Sequence, residues 1–102
     1  MKLTRFEHLE ALVLQWADNK GILENGTKEG QAAKTLEEAA EILVGIARGN
    51  KEEVIDGIGD TLVTLIIQAE MNKVDILDCL ETAYTEIAYR QGKMINGQFV
   101  KE

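Results

Sequence analysis

The chain has 102 residues, 45% of them hydrophobic and 28% charged, with a formal net charge of −7. That length supports one modest core and a single domain over residues 1–102. The balance is that of a soluble globular protein, and the acidity argues against a nucleic-acid polymer as partner. No apolar run approaches the ~20 residues of a membrane span, nothing at the N-terminus resembles a signal peptide, and a lone Cys79 excludes an intrachain disulfide. No membrane partner and a reducing, cytoplasmic setting are therefore expected.

Thr4 and Glu7 form a capping box ahead of Phe6, Leu9, Val13 and Trp16 at helical spacing, predicting a first helix over about residues 4–18. Asp18 to Gly30, with three glycines, reads as a loop whose Ile22 and Leu23 tuck onto the core. A second helix is expected to run to about Arg48, burying Ala33, Leu36, Ala40, Leu43 and Ala47. Asn50 and Glu53 form a capping pair for the third helix, which carries two stripes. One reads Ile55, Ile58, Leu62, Leu65 and Ala69; the other reads Glu53, Asp56, Asp60 and Thr64. The β-branched run from Thr61 to Ile67 suits a strand by propensity, but the period over the whole segment favours a helix. Val63, Ile66 and Ile67 leave it apolar almost all round, so an uncovered stripe calls for a second subunit. A fourth helix over about 76–91 presents Leu77, Leu80, Tyr84 and Ile87, with Cys79 as a small core residue and Gly92 just past its end. Asn96-Gly97 marks a hairpin over Lys93 to Val100. The fold class is all-α: an antiparallel four-helix-bundle-like domain with a short C-terminal β-hairpin, completed by oligomerisation.

Two acidic clusters carry the chemistry: Glu37-Glu38-Ala39-Ala40-Glu41 and Asp56-Gly57-Ile58-Gly59-Asp60. Carboxylates three or four apart share a helix face and repel by about 0.2–0.5 kcal/mol per pair. Solvated acidic faces are common, but Asp56 and Asp60 interrupt an apolar segment. About three residues join the two helices, so they are antiparallel neighbours, and at 1.5 Å per residue the two clusters come level. Four carboxylates with no His or Cys among them suit a hard cation such as Mg²⁺, with Mn²⁺ as a substitute.

These residues resemble the MazG-like all-α nucleoside triphosphate pyrophosphohydrolases, in particular the short phage and mobile-element type. The resemblance rests on Glu37-Glu38-x-x-Glu41, on Ile58-Gly59-Asp60-Thr61-Leu62, on Gln15 to Leu23, on Gln31 and Lys34, and on Arg90 to Gly97. It departs at Gly57, where the family carries Glu three residues before the final Asp, so that Asp56 supplies the carboxylate. The resemblance implies Mg²⁺-dependent cleavage of a nucleoside triphosphate between the α- and β-phosphates, with Glu38, Glu41, Asp56 and Asp60 as metal ligands. Glu37 or Glu53 would orient the attacking water. Lys34 either pairs with Glu38 or contacts phosphate, and Arg90 and Lys93 could reach phosphates from the same or another subunit. Trp16 either packs in the core or stacks on the base; Gln31 completes the substrate-binding set. His8 reads as a surface residue. The implied assembly is a homodimer or a dimer of dimers. The competing reading is a non-catalytic helical interaction module, which leaves Asp56 and Asp60 unexplained; a di-iron bundle lacks its Glu-x-x-His pairs.

Overall fold

The structure, a computed structural model, describes residues 2–102. Thr4 caps α1 (Arg5–Asn19) in a complete capping box: its hydroxyl accepts from the Glu7 N–H at 3.1 Å, and the Glu7 carboxylate accepts from the Thr4 N–H at 3.0 Å. The expected loop over 18–30 contains a single helical turn, α2 (Ile22–Asn25), and the next helix already begins inside it. The reason is Thr27, whose hydroxyl accepts from the Gly30 N–H at 2.9 Å and starts α3 (Lys28–Ala47). Gly49, with φ of +64°, turns the chain into α4 (Lys51–Met71), whose cap is Asn50 accepting from Glu53. The β-branched segment is helical, as its period predicts.

Beyond Met71 two boundaries differ from expectation. Asp75 caps α5 (Ile76–Ile87), which ends well before residue 91, and Gly92 opens a strand instead of closing the helix. β1 (Gly92–Ile95) and β2 (Gln98–Lys101) form the antiparallel hairpin, with Asn96 and Gly97 both at positive φ, the backbone that an Asn-Gly turn supplies.

The closest helix pair is α3 against α4. A Cβ added at Gly45 would stand 2.9 Å from the Val54 nitrogen, and one added at Gly57 would stand 2.9 Å from Ile42 Cγ1. The two glycines thus let the backbones approach and fix the register: Gly45 opposite Val54, Ile42 opposite Gly57. Further along, the Gln31 amide donates to the Thr64 carbonyl at 3.0 Å and the Gln68 amide to the Lys28 carbonyl at 3.1 Å.

This seam reverses the expected burial. Ala33, Leu36, Ala40, Leu43 and Ala47 are exposed on α3, Leu36 at 75% and Leu43 at 70%. Ile55, Ile58, Leu62 and Leu65 are exposed on α4, whereas Ile66 and Ile67 are buried and Val63 is half-buried. The uncovered stripe is therefore the one expected to be core, and the one expected to be uncovered is packed within the chain. Leu77, Leu80, Tyr84, Ile87 and Cys79 on α5 are exposed as well, because α5 packs only sparsely on α4 and leaves an open groove between them. The Cα radius of gyration is 15.9 Å, against about 13 Å for a compact domain of this length.

The two glycines of the acidic segment should respond to Ala in opposite ways. At Gly57 the new methyl meets Ile42 and its backbone, whereas at Gly59 it meets nothing within 4 Å. Gly59→Ala should stabilise by up to about 1 kcal/mol through helix propensity, and Gly57→Ala should destabilise by about 1–3 kcal/mol through overpacking. Chemical denaturation of both variants measures the difference.

Burial first, and then Asp75, Glu7 and Glu70, raises the Glu10 carboxyl above its ordinary value. Folding thus favours its protonated form: there is no cost at low pH, and a cost that grows as pH rises from the unfolded-state value to the folded one. Glu10→Gln should raise the melting temperature at pH 7 and leave it unchanged near pH 3; thermal melts at the two pH values check this.

Candidate functional site

On either helix of the seam, the residue one position earlier in sequence is rotated by about 100°. Because α3 and α4 are antiparallel, these rotated positions turn to the same side of the pair. That side carries Lys34, Glu37 and Glu41 from α3 and Glu53, Asp56 and Asp60 from α4. α1 packs against it, and the space between is a cavity of about 250 Å³.

Five of the residues singled out in the sequence line this cavity: Trp16, Gln31, Lys34, Glu38 and Asp60. Its apolar wall is Ile22 of α2 with Val63 and Ile67 of α4. Trp16 is 48% exposed, so it is not the core indole its helical spacing suggests. Its ring also borders an adjoining groove of about 330 Å³, formed by Leu9, Leu12 and Val13 with Asp60 and Val63. Helical spacing placed Leu9, Val13 and Trp16 on one apolar face; the structure opens that face toward Asp60. Ile22 was legible as a tucked residue but not as part of a site.

The polar wall has a definite state. Lys34 Nζ lies 3.3 Å from Glu37 Oε2 and 3.5 Å from Glu38 Oε1. The Glu37 hydrogen bond, more than Glu38, raises the Lys34 ammonium above its ordinary value. Glu38 is the less accessible carboxylate, with 18% of its side chain exposed against 64% for Glu37. Among the described residues Asp60 has no hydrogen-bond or ion-pair partner. Thr64 beside it is spoken for: its hydroxyl donates to the Thr61 carbonyl at 2.6 Å, and Thr61 in turn donates to Gly57 at 2.7 Å.

The remaining candidates lie outside the cavity. Glu41 and Asp56 stand exposed on the same side of the pair, one turn along from Glu38 and Asp60. Glu53 is held by Arg48 at 3.1 Å, at the turn end of the seam. Arg90 and Lys93 belong to the exposed segment at and before β1, and neither lines the cavity. His8 is exposed, as expected. Among the described residues no three His, Cys, Asp or Glu side chains approach closely enough to hold one metal ion; the cavity joins two of the four expected carboxylates.

No family model matches the chain, and neither does any solved structure. The chain is similar to an uncharacterized 18.2 kDa protein of the rep-hol intergenic region of Haemophilus phage HP1 (strain HP1c1), 34% identical over 61 residues. That stretch is 60% of this chain and 37% of the phage protein, so the chain spans little more than a third of the relative's length. No helix among the described residues is long and apolar enough to cross a membrane.

Proposed function

We propose that the chain is a Mg²⁺-dependent nucleoside triphosphate pyrophosphohydrolase, converting a ribo- or deoxynucleoside triphosphate to the monophosphate and pyrophosphate in nucleotide-pool housekeeping. The observation that carries this is the convergence of Glu38 and Asp60, from two antiparallel helices, on one cavity that also holds an indole and a lysine. The resemblance to the MazG-like family supports the same reading, and a phage-encoded relative is in keeping with its short phage type.

The donor set fits a hard divalent cation. Glu38 and Asp60 offer only oxygen acceptors, Asp60 lacks a partner, and Glu41 and Asp56 stand a turn away on the same side. When bound there, Mg²⁺ (or Mn²⁺) would acidify a water and neutralise charge on the phosphates. The chain's own residues supply the rest. Lys34 is the one cation on the cavity wall among the described residues, and it would meet the charge that gathers on the leaving pyrophosphate. Glu37, which shares Lys34 with Glu38, is better placed than Glu53 to accept the proton of the attacking water. The water oxygen bonds to the α-phosphorus, the bond from the α-phosphorus to the α,β-bridging oxygen breaks, and pyrophosphate departs. Trp16 and the Ile22 end of the cavity would receive the base, excluding water from one side of the reacting phosphate.

A non-catalytic interaction module accounts for the exposed apolar stripe, but not for a carboxylate set facing an indole-lined cavity. The stripe has its own place in the enzymatic reading. Leu36, Leu43 and Ile46 of α3 and Ile55, Ile58 and Leu62 of α4 lie one residue after the seam positions, on the side opposite the carboxylates. A second copy packed across that face would form a four-helix core from two helix pairs. A buried Leu or Ile contributes about 1.5–3 kcal/mol.

Chromatography of the products decides the reaction: monophosphate and pyrophosphate are expected, and diphosphate, or activity that survives a chelator, would sink it. Glu38→Gln and Asp60→Asn should each lower turnover by at least about 100-fold. Their melting temperature without metal should be unchanged or raised, since one of several like charges is removed, and the Mg²⁺-induced rise should shrink.

Light scattering at low micromolar concentration should give a multiple of the 11.3 kDa chain mass. A clean monomer would refute the shared core.

A further inference from the structure

Gln31 is polar, only 8% exposed, and set in the wall of the candidate site. A helix-face glutamine ordinarily reaches into water, so its burial here calls for a reason. Part of the reason is structural: its Nε2 donates across the seam to the Thr64 carbonyl at 3.0 Å. A carbonyl can only accept, so the donating end of the amide has to be the end that faces it. The amide cannot turn over without breaking this bond and setting two oxygens against each other.

That constraint fixes where the other end points. Among the described residues no donor meets Gln31 Oε1, and none of their buried side-chain oxygens or nitrogens lacks a partner. Oε1 is therefore not sealed in protein. The open space that the residue borders is the cavity. The result is a hydrogen-bond acceptor held in one orientation, close to the Trp16 ring and to Ile22.

Its position along α3 says which part of a nucleotide it would meet. Gln31 precedes Glu38 by seven residues, which is about 10 Å along the helix. With the reacting phosphate held at Glu38 and Asp60, that span reaches past the sugar to the far edge of a base. We infer that Gln31 is a specificity-determining residue whose Oε1 accepts from an exocyclic amino group on the base, favouring amino-bearing bases over their carbonyl counterparts. This rests on the nucleotide reading of the cavity. A carbonyl at the same position would bring two acceptors together with no proton between them, and the pinned amide has no alternative orientation to offer.

The test compares pairs that differ at that one group: cytidine with uridine, and adenosine with inosine. Each is presented as a non-hydrolysable α,β-methylene triphosphate with Mg²⁺, and binding is measured by calorimetry. The amino member of each pair should bind about tenfold tighter or more. In Gln31→Met, which keeps length but removes the acceptor, the two members should bind alike. Equal binding of both members to the unaltered protein, or a preference that survives in a folded Gln31→Met variant, overturns the inference while leaving the hydrolase reading intact. Failure of every analogue to bind overturns both. Should Gln31→Met not fold, because the Thr64 bond is lost with the acceptor, the comparison on the unaltered protein still decides.

Discussion

The close approach of α3 and α4 is the constraint on which the rest of the structure depends. Two glycines make it possible, one on each helix, and each sits against a branched side chain of the other: Gly45 against Val54, Gly57 against Ile42. Such a contact excludes even one added methyl group, so the register has little freedom to slip. Once it is set, an antiparallel pair has only two sides. Residues one position before the seam turn to one side and residues one position after it turn to the other. On this chain the first set is Lys34, Glu41, Asp56 and Asp60, and the second is Leu36, Leu43, Ile58 and Leu62. A single contact thereby sorts charge from apolar surface.

The acidic side carries a cost that the chain only partly offsets. Arg48 pairs with Glu53 and Lys34 spans Glu37 and Glu38, but these are largely exposed ion pairs. Pairs of that kind contribute about 0–1 kcal/mol. Asp60 receives no such help among the described residues, although it faces Trp16 and Val63 in the cavity. Thr61 and Thr64, its neighbours on α4, satisfy their hydroxyls on the helix's own carbonyls and offer it no donor. Gln31 adds a further acceptor. A wall rich in acceptors, with Lys34 as its one cation among the described residues, complements a ligand that brings positive charge and hydrogen-bond donors.

The sequence is legible where the physics is local. The Thr4 and Asn50 caps, the helical period of α4 and the Asn96-Gly97 turn each depend on a few adjacent residues. The convergence of Glu38 and Asp60 was also legible, because a three-residue connection forces antiparallel neighbours at a known rise per residue. What the sequence did not disclose is which face of each helix is inside. Leucines at helical spacing mark an apolar stripe without naming what covers it, and the stripe of Leu36 and Leu43 lies in the open in this chain. The true seam is built from Gln31, Thr35, Ile42 and Gly45 against Val54, Gly57, Thr61 and Thr64. Hydropathy passes over glycine, threonine and glutamine, so the same reading misplaced Val63, Ile66 and Ile67 as uncovered. Cys79 was misplaced for a related reason: α5 is strongly amphipathic, but an open groove separates its apolar face from α4, and Cys79 lines that groove.

The division into two sides also separates the demands made on each. Among hydrophobic residues only Ala17, Ile66, Ile67 and Ala69 are described as buried. That is little apolar burial against a conformational cost of about 1–2 kcal/mol per ordered residue. The groove of about 490 Å³ between α4 and α5 is almost wholly apolar in its lining, and the hairpin beyond it exposes Met94 and Phe99. A lone two-stranded hairpin is marginal in water. Additional burial on the apolar side is what the second copy proposed above would supply. Pressure on that side is transmitted to the carboxylates only through the seam, since no side chain belongs to both. A substitution at Ile58 or Leu43 would bear on the proposed assembly alone, while the register still holds Glu38 level with Asp60. A change at Gly57 would disturb both sides at once.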